Sequence, residues 1–312
     1  MVKLLSVLIS FLLFYTEAFV TPYSYKDKDN LKLSAVILSD MHTESNSNSR
    51  FLKIGYTLEG VYSGGNSPDV IAFAGDNTMN GQGIEWFDFY GLVNRYRKKS
   101  NVLVAFGNHD FGNTDDENQY KKLSKRAIDS YNYYCQKSID SVYYAEDYPD
   151  VRFIILGSEN NAKNTVQVIS GAQIEWLEKQ LGECAAEKKP AVVINHNLIY
   201  ATTGRQSYFG FNLTNNNDRL QKALTDCGTT VVYVCGHSHF GISDGTVYSD
   251  GNVTYINLPS AGNDGNYDTD EEHGSHGIGM LLEVYDGRFE ITFRNFSKGR
   301  NIDGYELTVE TE

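Results

Sequence analysis

Proline is scarce in this 312-residue chain, with five residues, and no Pro-rich or Ser-rich stretch interrupts it, so nothing marks a linker between domains. Basic residues are outnumbered: 27 Lys and Arg stand against 40 Asp and Glu, giving a formal charge of -13 and a pI near 5.0. Such a surface repels polyanions at long range, which argues against electrostatic binding of nucleic acid or an anionic membrane. The acidity is global, however, and a site holding cations is still locally positive. Beyond residue 15 no apolar run is long enough to span a bilayer. Cysteine is limited to four residues. Cys227 and Cys235 bracket a strand-like run whose extended length, roughly 26 Å, exceeds the ~7 Å Cα separation a disulfide tolerates. Cys235 therefore reads as a buried thiol, while Cys135 and Cys184 stay open.

What is present begins at the N-terminus. Met1-Val2-Lys3 precedes an apolar run from Leu4 to Tyr15, and Thr16-Glu17-Ala18 supplies small residues for cleavage after Ala18. The run is shorter than the roughly 20 residues of a spanning helix, so it reads as a secretory signal peptide and not as an anchor. The expected organisation is a signal peptide over 1–18, a polar segment over 19–30, one domain over 31–300 and a tail over 301–312. The mature chain is then expected outside the cytosol or in a secretory compartment. Asn212, Asn252 and Asn295 stand in Asn-x-Ser/Thr sequons, which can carry glycans in a eukaryotic host.

Short runs rich in Val, Ile and Leu predict strands over 33–38, 70–74, 102–106, 151–156, 191–194 and 231–235. Continuous apolar runs suit strands buried on both faces. Between them lie helical patterns over 84–97, 120–134, 172–186 and 218–225, the third with an Ile174, Leu177, Leu181 stripe and Ser170 placed as N-cap. Alternation of this kind implies an α/β chain with a largely parallel sheet. After Gly236 the pattern changes to 253–258, 279–285 and 288–293 with turns and no helix, which predicts antiparallel hairpins in a second sheet.

Five of the seven histidines fall in motifs that follow these strand-like runs. They are Asp40-Met41-His42, Gly75-Asp76-Asn77, Gly107-Asn108-His109-Asp110, Asn195-His196 and Gly236-His237-Ser238-His239. Ligands gather at the carboxyl ends of parallel strands, so loops emerging there converge. Asp and His suit Zn²⁺, Mn²⁺ or Fe²⁺, and glycines at 75, 107 and 236 let the backbone turn sharply beneath a metal.

With these five motifs in order, and Gln173-x-x-Trp176-Leu177 ahead of the fourth, the chain resembles the calcineurin-like metallophosphoesterase family. The resemblance implies a four-layer α/β/β/α sandwich with two mixed central sheets flanked by helices. It also implies two divalent metal ions, Mn, Zn or Fe, and a phosphoester substrate. By position, Asp40, His42, Asp76 and His239 hold the first ion, and Asp76, Asn108, His196 and His237 the second, with Asp76 as the bridge. A metal-bridging hydroxide then attacks phosphorus in line. His109 protonates the leaving alkoxide, and Asp110 orients its ring.

Departures narrow the choice. Purple acid phosphatases share this plan but carry a tyrosine three residues after the bridging aspartate and no counterpart of His42; here Met79 takes that place and His42 is present. Serine/threonine protein phosphatases show Gly-Asp-x-x-Asp-Arg-Gly, whereas this chain reads Gly75-Asp76-Asn77-Thr78-Met79-Asn80-Gly81. Asn197 replaces a common proline, which implies a changed loop with His196 kept. The alternatives are an acid-phosphatase-like monoesterase with a mixed-valent pair, and a non-catalytic binding protein on the same scaffold.

Two other patterns invite chemistry. Asp264, Asn266, Asp268, Asp270 and Glu272 alternate as in a calcium loop, but Thr269 and Ser275 occupy the positions where an EF-hand needs Gly and Glu, so a solvated acidic loop is expected. Tyr200, Tyr208, Phe209 and Phe211 follow His196, either as a wall for a leaving group or as loop packing.

Overall fold

Strands that are apolar on every residue must be covered on both faces, and that requirement organises the molecule. The computed structural model describes residues 20–311 except 98–99, 115, 163–165, 200–215, 265 and 268–269. The signal-peptide run and the aromatic segment after His196 therefore lie outside the described residues. In chain order the first half runs β1 (Leu33–Leu38), α1 (Asn48–Val61), β2 (Val70–Ala74), α2 (Gly83–Tyr96), β3 (Asn101–Ala105), α3 (Glu117–Cys135), β4 (Tyr144–Asp147) and β5 (Arg152–Ile155). A short pair, β6 (Asn161–Ala162) and β7 (Val166–Gln167), leads to α4 (Gly171–Glu187), β8 (Ala191–Ile194), α5 (Asn217–Thr225), β9 (Val231–Cys235), β10 (Val247–Asp250) and β11 (Val253–Asn257). The one-turn α6 (Glu271–Gly274) precedes β12 (Ile278–Tyr285), β13 (Arg288–Asn295), β14 (Arg300–Asn301) and β15 (Leu307–Glu310).

Apart from the β6–β7 pair, the described strands form two mixed sheets. The first has the order β14-β13-β12-β1-β2-β3 with β15 also on β13, and the second has the order β10-β11-β9-β8-β5-β4. Within the first, β1, β2 and β3 are parallel, so that Val36 pairs with Ile71 and Ile71 with Val102. Strand alternation then divides the side chains. Ala35, Ile37, Ala72, Leu103 and Ala105 meet Phe153, Ile155, Val192 and Val232 in a core between the sheets. Val36, Leu38, Phe73 and Val104 face α1 to α3, and Ile154, Val193, Tyr233 and Tyr255 face α4 and α5. Three cores between four layers are the α/β/β/α sandwich.

Local chemistry fits each helix. Ser170 caps α4 by accepting from Gln173 N at 3.1 Å, and Ile174, Leu177 and Leu181 form its buried stripe. Helix α1 has no counterpart among the helices expected from the sequence. Its Gly55, Thr57 and Gly60 are poor helix formers, yet Ser47 caps it and Ile54, Leu58 and Val61 are buried at helical spacing.

The C-terminal hairpins need correction. Strand β11 runs parallel to β9 in the second sheet, with β10 as its antiparallel partner, while β12 and β13 complete the first sheet beside β1. Residues 20–30 and the tail are also built in. Tyr23 is buried, Lys26 N and Nζ donate to Glu283 Oε2 and Glu290 Oε2 at 2.8 and 3.0 Å, and β15 pairs with β13.

All four cysteines are free thiols. Two of the sequons are engaged by the fold. Asn295 is buried with Nδ2 donating to Ser275 Oγ, and Asn252 Nδ2 donates to Thr229 O at 2.7 Å. Asn212 lies outside the described residues.

Candidate metal centre

The first three motifs leave β1, β2 and β3 in one sheet, and the last two leave β8 and β9 in the other. All leave at carboxyl ends, so the side chains meet where the two sheets open together. The adjoining loops are zipped by main-chain bonds: His42 N donates to Asp76 O at 2.8 Å and Thr43 N to Asn77 O at 2.9 Å. Aiming the ligands costs backbone strain. Asp40, His42, Asp76, His237 and His239 all have positive φ, between 48 and 66°. For residues with a Cβ each such turn costs about 1–3 kcal/mol, and strain of this size persists where the surroundings enforce it. Of the three motif glycines, Gly75 takes the expected left-handed turn at φ 91°. At Gly107 space is the issue, because a Cβ would lie 2.2 Å from Asp76 Oδ1.

Among the described residues, three groups of possible metal-holding side chains result: Asp40, His42 and His239; Asp76, His196 and His237; and His42, Asp76 and His109. Within each, ligand atoms lie within 4.8 Å of one another. In the first, His42 Nε2 stands 3.0 Å from His239 Nε2, which is 3.1 Å from Asp40 Oδ1. In the second, His196 Nε2 lies 3.1 Å from His237 Nδ1 and 3.2 Å from Asp76 Oδ2. The same Asp76 Oδ2 is 3.8 Å from His42 Nε2, so this carboxylate joins the groups.

These distances test whether metal ions fit. Imidazole nitrogens about 3 Å apart repel unless a proton or a metal ion draws on their lone pairs. Asn108, itself buried, turns Oδ1 inward with no hydrogen-bond partner among the described residues, an acceptor left for a cation. A nitrogen and oxygen donor set with two carboxylates suits divalent ions, and the residues fit the group.

Electrostatics follow from burial and from these neighbours. Burial opposes ionisation of Asp40 and Asp76, yet His239 beside Asp40 and His196 beside Asp76 hold both carboxyls below the usual range. Burial, then the charge of His196, pushes His237 down to about 3, and burial pushes His42 down to about 4. Burial opposes protonation of His196 too, but Asp76 outweighs it and the imidazole is pushed up to about 9.

His109 begins a single helical turn, with its ring 4.8 Å from that of His42. Its Nδ1 is held at 2.8 Å by Met79 O. Asp110 does not orient this ring. It is fully buried and accepts from Gly107 N, Asn77 N, Asn77 Nδ2, Thr78 N and Thr78 Oγ1 at 2.8 to 3.2 Å. The carboxylate ties the β2 and β3 loops together, and burial, then the charge of Asp76, pushes it up to about 6. Met79 O could not have been found from sequence, since every residue carries a carbonyl.

From the start of β1 to just past the last histidine motif, residues 33–241 match the family described as calcineurin-like phosphoesterase. The chain belongs to this family. No curated protein matches it. Among solved structures, a dimetal phosphatase from Danio rerio is similar at TM-score 0.61 and 14% identity, over 90% of this chain and 100% of that one. A purple acid phosphatase from yellow lupin seeds is similar at TM-score 0.64 and 15% identity, over 89% of this chain and 53% of that one. GAP50, the anchor in the inner membrane complex of Plasmodium, follows at 0.58 and 14%, over 90% of each chain. At such identities the likeness concerns the fold. For this family member the site carries a dinuclear arrangement of Asp and His groups in a phosphoesterase fold.

The remaining expectations separate from the site. Gln173 is buried and clamps Gly157 through both its amide atoms, at 3.1 and 2.9 Å. Asp264 pairs with Lys53 and His276, while Asp270 caps α6 and pairs with His273, so these acidic groups serve separate partners. No helix among the described residues is long and apolar enough to cross a membrane.

Proposed function

We propose that the protein is a secreted hydrolase of phosphate mono- or diesters that works with two divalent cations, Mn, Zn or Fe, and uses His109 as general acid. The observation that carries this reading is Asp76, whose Oδ2 stands between His196 Nε2 at 3.2 Å and His42 Nε2 at 3.8 Å. Asp40, His42, Asp76 and His239 would hold one ion, and Asp76, Asn108, His196 and His237 the other. Bound there, such ions supply Lewis acidity toward phosphoryl oxygens and an acidified water for in-line attack.

The chain's own residues do the rest. Asp40 stays ionised and is fixed by Ser39 Oγ and His237 N, which donate to Oδ2 at 2.5 and 2.9 Å. Asp76 is fixed by His109 N, donating to Oδ1 at 2.9 Å. Because Met79 O accepts from His109 Nδ1–H, a second proton taken up by the ring sits on Nε2, and that proton is the one the leaving oxygen would receive. The side chain of Met79 offers no phenolate for Fe³⁺, which favours a divalent pair. Secretion is supported by the N-terminal apolar run. Cleavage after Ala18 would leave intact the segment that docks Tyr23 and Lys26 on the first sheet.

The test is metal analysis of protein expressed with its cleaved N-terminus and reconstituted with Mn²⁺ or Zn²⁺. Two ions per chain are expected, and fewer than one would overturn the reading. Parallel assays with a nitrophenyl phosphate and its bis-ester then separate monoesterase from diesterase. Hydrolysis of neither by loaded protein would favour the non-catalytic binding protein.

A further inference from the structure

We propose that Asn263 is the outer partner that sets His239 for metal binding, and that its side-chain amide turns over when the ion enters. This rests on the two-metal reading above. His239 directs Nε2 inward, toward His42 Nε2 and Asp40 Oδ1, and its Nδ1 lies 3.4 Å from Asn263 Nδ2. Other rings of the centre are braced differently: His196 Nδ1 meets Ala74 O and His109 Nδ1 meets Met79 O. A backbone carbonyl accepts only, whereas a carboxamide can donate or accept.

That difference has a consequence for the ring proton. With Nε2 on a metal, the proton of a neutral imidazole is on Nδ1, which must then donate and needs an oxygen. A half-turn of the Asn263 amide places Oδ1 where Nδ2 now stands, since the two ends are nearly the same size. The loop is built to hold this residue near the ligands. Asn266 bridges Ser260 and Gly274 through both amide atoms, and Ser260 Oγ donates to Asp40 O at 2.7 Å. Gly262 presses so close that a Cβ would lie 2.1 Å from Met41 O.

Calorimetric titration of metal-free protein with Mn²⁺, in wild type, Asn263→Ala and Asn263→Asp, tests the proposal. Asn263→Ala is expected to weaken one of the two binding steps about tenfold and spare the other, the usual scale for an outer partner of a ligand histidine. Asn263→Asp, which can only accept, is expected to tighten that same step relative to wild type. An unchanged Asn263→Ala, equal weakening by Ala and Asp, or equal tightening of both steps by Asp would overturn it, the last by marking a bulk charge effect. Absence of Mn²⁺ uptake by wild type would overturn the dinuclear reading together with this one. Two ions bound with the expected variant pattern, but no ester turnover, would remove catalysis and leave Asn263 in place.

Discussion

The two halves of the metal cradle are held by different means. Around Asp76, His196 and His237 all three side chains are buried, and His196 is braced from behind by Ala74 O at 2.9 Å. Around Asp40, His42 and His239 the outer ring is 23% exposed, and its back faces Asn263 on a loop. Ala74 ends a central strand and its carbonyl cannot turn, whereas a loop carboxamide can. The buried half is thus set by sheet packing and the open half by the β11–β12 loop. Electrostatically the halves are alike. Each pairs one imidazole that its carboxylate pushes up, His196 or His239, with one that burial pushes down, His237 or His42.

The largest expected effect comes from removing what the halves share. Asp76→Asn should weaken both binding steps and lower turnover on the order of 10³-fold or more, a loss of several kcal/mol of charge stabilisation. Metal counts and rates check this together, and loss of a single ion would show the halves to be independent. His109→Ala should leave both halves able to fill. It should reduce turnover of esters with poor leaving groups by roughly 10²- to 10⁴-fold and spare nitrophenyl esters, and unchanged turnover of the former would remove the general acid.

A smaller effect is set by pH. His196 is pushed up to about 9 in the metal-free centre, so below that pH it carries a proton that must leave before Nε2 can bind an ion. Affinity of the buried half should therefore rise about tenfold per pH unit from 7 toward 9, with proton release on binding. His237 and His42, pushed down to about 3 and 4, are already neutral there and add no slope. Mn²⁺ titrations at pH 7 and 8 in buffers of different ionisation enthalpy measure both quantities, and a flat profile would break the assignment. The smallest effect is kinetic: a chelator should strip the two ions in separate phases, the faster from the open half, and a single phase would erase the distinction.

Much of the fold was legible because its strands are short apolar runs with both faces covered. The runs at 33–38, 70–74, 191–194 and 231–235 became β1, β2, β8 and β9 with the same bounds. Helix α1 was hidden by Gly55, Thr57 and Gly60, whose low propensity is overridden by packing of Ile54 and Leu58 against the first sheet. The sheet membership of β11 and β12 was hidden for another reason. Hairpin patterns specify local turns, and only long-range pairing, Val253 with Val231 and Val284 with Leu33, decides which sheet receives each strand.

The sequence by itself determined the family, the α/β alternation and the ordered Asp, Asn and His residues at strand ends, since side-chain chemistry and period are written residue by residue. Tertiary structure alone decided how those residues are held. It assigned Asp110 to tying two loops, gave the His109 ring to Met79 O and set Asn263 behind His239. These are contacts through backbone carbonyls or between residues far apart in the chain, and they come into being only when the two sheets close on one another.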